Sequence, residues 1–181
     1  MGLAMLIAVP PTQPRQPNAE RGFTLVELIM VMSLVGVLSA VAVASMSGLQ
    51  GAQQDIAAAR VRTLLVYAQE RAMASVTNTW VQVNVGANSV MGFVEDPGNP
   101  GKAGRVRLKH PLTRKTLALS LDGSGAAFAS ASFRGTRTVR FAEDGSPTDA
   151  DGRPLLGDGL ITLTGGRAVR VTRNTGLITV D

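Results

Sequence analysis

RGFTLVELIMVMSLVGVLSAVAVASM, residues 21–46, decides the architecture of this chain. From Phe23 to Met46 it carries one charge, Glu27, and no proline. As a helix that stretch spans about 36 Å at 1.5 Å per residue, enough to cross a bilayer core of about 30 Å. Arg15 and Arg21 lie just before it and most of the chain follows it. The bias of cations towards cytoplasmic flanks therefore predicts a cytoplasmic N-terminus and a C-terminal part in a periplasm-like space. A cleavable secretory signal would find a small-residue site at Ala42-Val43-Ala44, but its apolar core would run only about 7–15 residues. A helix buried in a soluble core would be shorter and apolar on one face only. A plain anchor fits the length but leaves Glu27 without a reason, since an ionised acid in hydrocarbon costs about 2–3 kcal/mol near the centre of a span and less at its edge.

Beyond the span the pattern changes. Gly48 and Gly51 interrupt the apolar run, and Val61, Leu64, Leu65, Ala68, Ala72 and Val76 then follow the 3–4 spacing of an amphipathic helix. One continuous helix from about Thr24 to Ala74 is the economical reading, its second half lying against a sheet. From Asn78 onward, short β-branched or alternating runs recur: Thr79–Val85, Ser89–Glu95, Arg105–Lys109, Thr116–Leu121, Thr138–Phe141, Gly159–Thr164, Ala168–Arg173 and Leu177–Val180. Turn chemistry separates them, as in Asp96-Pro97-Gly98-Asn99-Pro100-Gly101 and Asp144-Gly145-Ser146-Pro147. The predicted class is α+β, a long N-terminal helix packed on an antiparallel β domain, with segments 1–22, 23–47, 48–76 and 77–181.

Gly22-Phe23-Thr24-Leu25-Val26-Glu27-Leu28, with Gly36 in the span, resembles the class III signal of type IV pilins and type II secretion pseudopilins. The resemblance implies that residues 1–22 are a leader, that a prepilin peptidase cuts between Gly22 and Phe23, and that the new amine of Phe23 is methylated. It also implies that Glu27, with Thr24, serves assembly, the acid pairing with the terminal ammonium of an adjacent subunit. Phe23 and Glu27 are four apart and so neighbours on one helix face. A buried acid and ammonium recover their desolvation only when paired, so the pair selects register more than it adds stability. The segment before the cut starts with the apolar MGLAMLIAVP, less polar than most family leaders, and the first proline after Phe23 is Pro97, so no proline kink is expected. The C-terminal layout from VRFAEDGS to the closing strands resembles a branch of the same family, the minor pseudopilin H of type II secretion and minor pilins of the FimT and FimU kind. The implied setting is the bacterial inner membrane and then a periplasmic filament. The implied partners are other major and minor pseudopilins or pilins, the peptidase, the inner-membrane assembly platform and secreted cargo.

Enzymatic chemistry finds little support. The sequence has no cysteine and one histidine, His110, without a nucleophile or second imidazole to partner it. No cofactor and no catalytic residue is expected. Asp144, Asp149 and Asp151, with Glu143, are weak calcium candidates that lack the later bidentate glutamate of an EF-hand. The net charge of +5 permits nucleic-acid contact. Arg105, Arg107 and Lys109 alternate along one predicted strand and share a face, and Arg167, Arg170 and Arg173 crowd the final hairpin. Some minor pilins of the FimT kind bind DNA through a C-terminal Gly-Arg-x-Arg motif. Here Gly166-Arg167-Ala168-Val169-Arg170 is one residue too long.

Overall fold

Thr24 starts the first element by accepting, through its hydroxyl, the amide of Glu27 at 3.3 Å. Its carbonyl takes the first intrahelical bond from Leu28. This is an N-cap with the Thr-x-x-Glu order of a capping box, and helix α1 runs from it over Leu25–Ser75. The computed structural model describes residues 24–181, apart from the side chains of 41–49. The chain divides into two units after Ala42.

In the second unit α1 is amphipathic. Ala57, Ala58, Val61, Leu64, Leu65, Ala68 and Ala72 are buried, and the small residues among them allow close approach to what they cover. The expected stripe holds up to Ala72. Val76 departs from it: it lies beyond the helix, 66% exposed, at φ 49°. The amide of Thr77 closes on the carbonyl of Ala72 at 3.2 Å, so the helix ends in a Schellman-type turn whose left-handed position is a valine instead of the usual glycine.

Ten strands follow, where the sequence predicted eight. One sheet has the order β3-β2-β1-β6-β7, with β4 also on β2. Its members are β1 (Thr79–Asn84), β2 (Ser89–Val94), β3 (Val106–Arg107), β4 (Ala118–Ser120), β6 (Thr138–Phe141) and β7 (Pro147–Thr148). The other sheet has the order β10-β9-β8-β5, from β5 (Phe128–Ser132), β8 (Gly159–Leu163), β9 (Ala168–Val171) and β10 (Ile178–Val180). All pairings are antiparallel. The two strands missed in the sequence are β5, whose Ala and Ser content has little strand preference, and β7, too short to show a period. The predicted strand Arg105–Lys109 shrinks to Val106–Arg107, with Lys109 joined to Thr116 by a single bridge.

Alternation along β1 sorts its two faces. Val81 and Val83 join Val90, Val139 and Phe141 under α1, and Ile161, Leu163, Val169, Val171 and Ile178 bring in the second sheet. Each fully buried Leu, Ile or Phe side chain contributes about 1.5–3 kcal/mol. Polar contacts fix the helix over this core. The Thr79 hydroxyl donates to the Ala68 carbonyl at 2.8 Å, Arg62 Nε to Ile178 at 3.0 Å, and Gln69 Nε2 to Gly145 at 2.9 Å. On the other face of β1, Trp80 is buried beneath the 149–153 loop and donates its indole N–H to Ala150 at 3.2 Å.

Candidate assembly segment and basic surfaces

The first unit presents apolar side chains all around α1. Leu25, Val26, Met30, Met32, Val37 and Leu38 are each more than 60% exposed. The serines in this stretch are satisfied within the helix, Ser33 donating to Ile29 at 2.8 Å and Ser39 to Val35 at 2.7 Å, so neither offers an unmet hydroxyl proton to an apolar surrounding. A Cβ on Gly36 would meet nothing within 4 Å. Glu27 is left as the one charged group on an otherwise apolar rod, in its first turn, where the helix dipole favours an anion. The threonine that caps the helix also fixes where that turn begins. The family resemblance implied an assembly role for Thr24; its role as helix cap was legible in the Thr-x-x-Glu order.

Gly22 and Phe23, the expected scissile pair, and the leader 1–22 lie outside the described residues. Among the described residues no helix is long and apolar enough to cross a membrane. The span expected over 23–47 includes Phe23 and the side chains of 41–47, which are also outside them.

The arginines of the final hairpin are engaged within the chain. Arg167 forms an ion pair with Asp55 on α1. Arg170 is held by Asp181 at 2.9 Å and by Asp158 at 3.6 Å, and the hydrogen bond it donates to Asp181, then the charge of that carboxylate, raise the Arg170 pKa above its ordinary value. Arg173 donates to the Leu156 carbonyl at 3.1 Å. Arg105 is not the free rim charge the alternation implied. Its guanidinium lies over the Phe93 ring at 4.4 Å and reaches Gln82 at 3.2 Å. Arg107 and Lys109 remain exposed.

The acidic candidates face separate partners. Asp144 accepts from Ser146, whose hydroxyl, then its amide, lowers the Asp144 pKa. Asp151 is lowered by its hydrogen bond and ion pair with Lys102. Asp149 is buried and accepts the amides of Asp151 and Arg153, both at 2.9 Å. Among the described residues no three acidic or imidazole side chains converge as metal ligands. Near the sheet edge Glu95 binds the Asn78 side chain and the Gly101 amide at 2.7 Å. Burial raises its pKa, but these hydrogen bonds and the charge of Arg140 outweigh that and lower it overall.

Residues 17–43 match the prokaryotic N-terminal methylation motif. This covers Gly22, Phe23, Thr24 and Glu27. The fold is similar to that of the minor pseudopilin EpsH from the type 2 secretion system of Vibrio cholerae. One EpsH structure is 12% identical, with a TM-score of 0.53, over 71% of this chain and 94% of the other. A second is 11% identical, with a TM-score of 0.54, over 71% and 95%. No curated protein matches the chain in sequence. The chain thus carries a match to the methylation motif and has a fold similar to that of a minor pseudopilin, an N-terminal helix on an antiparallel β domain.

Proposed function

We propose that this chain is a minor pseudopilin of a type II secretion pseudopilus, a structural subunit placed near the filament tip. The observation that carries this reading is an α1 whose first part exposes apolar side chains in every direction with one acid in its first turn, joined to a β domain of the EpsH fold. Such a rod has two surroundings that suit it, a bilayer before assembly and the packed helices of sibling subunits after it. The proposed sequence of events follows from that exchange. The chain sits in the inner membrane with the β domain on the periplasmic side, the peptidase cuts after Gly22, and Phe23 is methylated. In the filament, the methylammonium of one subunit meets Glu27 of its neighbour, and each charge is desolvated only once it has a partner. Glu27 thereby sets the register of incorporation, and the role is structural rather than catalytic.

A minor type IV pilin of the FimT or FimU kind, serving pilus assembly or DNA uptake, is the second reading. Its DNA-binding form draws on the basic C-terminal strands, where Arg167 and Arg170 already have carboxylates and Arg173 a carbonyl. That engagement favours the pseudopilus. Mass spectrometry of the protein isolated from its native host tests the proposal. A mature terminus at Phe23 bearing one extra methyl is expected, and an intact leader on filament-associated protein would overturn it.

A further inference from the structure

The C-terminal half of α1 has a groove on one flank, about 500 Å³ in volume, with Tyr67, Val94, Val106 and Leu108 among its lining residues. It opens at β3, the edge strand of its sheet, and Val106 there is 47% exposed. Beside it the Tyr67 ring stacks on His110 at 5.9 Å. The rim is cationic. Arg71, Arg107 and Lys109 line the groove, Arg60 stands about two helical turns from Tyr67 beside an adjoining hollow, and Arg114 and Lys115 sit on the turn that follows His110. All but the half-buried Tyr67–His110 pair of these polar groups are exposed, and among the described residues none of the six cations has a carboxylate partner. Among the described residues the nearest acid along the helix, Glu70, forms no ion pair either. The contrast with Arg167 and Arg170 is the point, because those are neutralised within the chain and these are not.

We propose that this groove docks a protein turn bearing adjacent carboxylates, presented by a neighbouring subunit. Charge complementarity selects the chemistry: three uncompensated cations lining an apolar floor, with three more on the adjoining surface, favour an anionic segment that also carries an apolar side chain. The chain itself displays the complementary element. The exposed pair Glu143 and Asp144 heads a turn held to α1 by Gln69, and Gln69 is roughly 160° around the helix from Tyr67. A basic groove on one flank and an acidic turn on the other is the arrangement that side-by-side, head-to-tail contacts require. That the neighbour is a fellow filament subunit rests on the proposed function. The preference of the groove for a carboxylate-bearing turn does not.

The test uses the full chain in a non-ionic detergent and fluorescence anisotropy. The probe is a fluorescein-labelled cyclic peptide of sequence Leu-Glu-Asp-Gly, compared with Leu-Lys-Lys-Gly and with a short duplex DNA. The acidic peptide is expected to bind, about tenfold more weakly in Arg107→Glu/Lys109→Glu and several-fold more weakly at raised salt. Arg167→Gln, whose charge is already paired, is expected to bind as the parent does. Equal binding of the acidic and basic peptides, an unchanged affinity in the double variant, or a stronger salt-sensitive affinity for DNA would each overturn the proposal. Circular dichroism melts of the variants ensure that a loss is not unfolding. An intact leader would sink the proposed function and leave this result untouched.

Discussion

Gly176 lies where the last turn, the Gly145 turn and α1 meet, and replacing it by alanine tests how tightly the helix is held. Its φ is +67°, a region that costs an L-residue about 1–2 kcal/mol. A Cβ there would collide with Gln69 Nε2 and stand 2.7 Å from the Gly145 carbonyl oxygen and 3.3 Å from Pro147 Cδ. Gln69 must then move and weaken its 2.9 Å bond to Gly145, a loss of about 0.5–1.5 kcal/mol. The carbonyl oxygen, being backbone, gives way less easily. Gly176→Ala is therefore expected to destabilise the β domain by about 2–4 kcal/mol, or roughly 6–15 °C in Tm for a domain of this size. Gly123→Ala is the matched control, with φ +73° and nothing within 4 Å of its Cβ, so it should cost about 1–2 kcal/mol from backbone strain alone. In a Gln69→Ala background the Gly176→Ala penalty should shrink by about 1 kcal/mol, a coupling that a double-mutant cycle reads directly. Denaturant melts of the parent and the four variants decide it. Equal losses for Gly176→Ala and Gly123→Ala would refute the contact argument and leave strain as the sole cause.

Val76→Asn should stabilise the domain by about 1 kcal/mol, because asparagine tolerates the left-handed position at which Val76 sits; a lower Tm would contradict the capping geometry. Glu95, whose folded pKa lies below its ordinary 4.5, contributes stability that is complete above that value and lost as pH falls through the lowered one. Glu95→Gln should thus flatten, without abolishing, the acid limb of a stability profile measured between about pH 5 and 3, since Asp144 and Asp151 are lowered too. Glu27→Val should leave membrane insertion, leader removal and β-domain stability unchanged while sharply reducing filament incorporation, scored by immunoblot of sheared filaments; normal incorporation would remove Glu27 from the assembly argument.

The residues themselves settled the large features. An apolar run with one acid in its first turn, then a 3–4 stripe, then short β-branched runs between Gly- and Pro-bearing turns, specify a long helix followed by an antiparallel domain, because those periods are local properties of the chain. The structure repeats them in α1 and in most of the strands. Strand β5 escaped because its Ala and Ser side chains hold no period strong enough to read, and its place is set by pairing with β8.

Charge is where sequence alone could not decide. Arg105, Arg167 and Arg170 look as free in the sequence as Arg71, Arg107 and Lys109 do, yet the first three are occupied by Phe93, Asp55, Asp181 and Asp158. Asp55 stands more than a hundred residues from Arg167 while the other partners lie only about a dozen residues from their arginines, and all of them meet the arginines only once the sheets form and α1 packs across them. Side-chain identity determined which groups carry charge; tertiary pairing decided which of those charges remain available to another molecule.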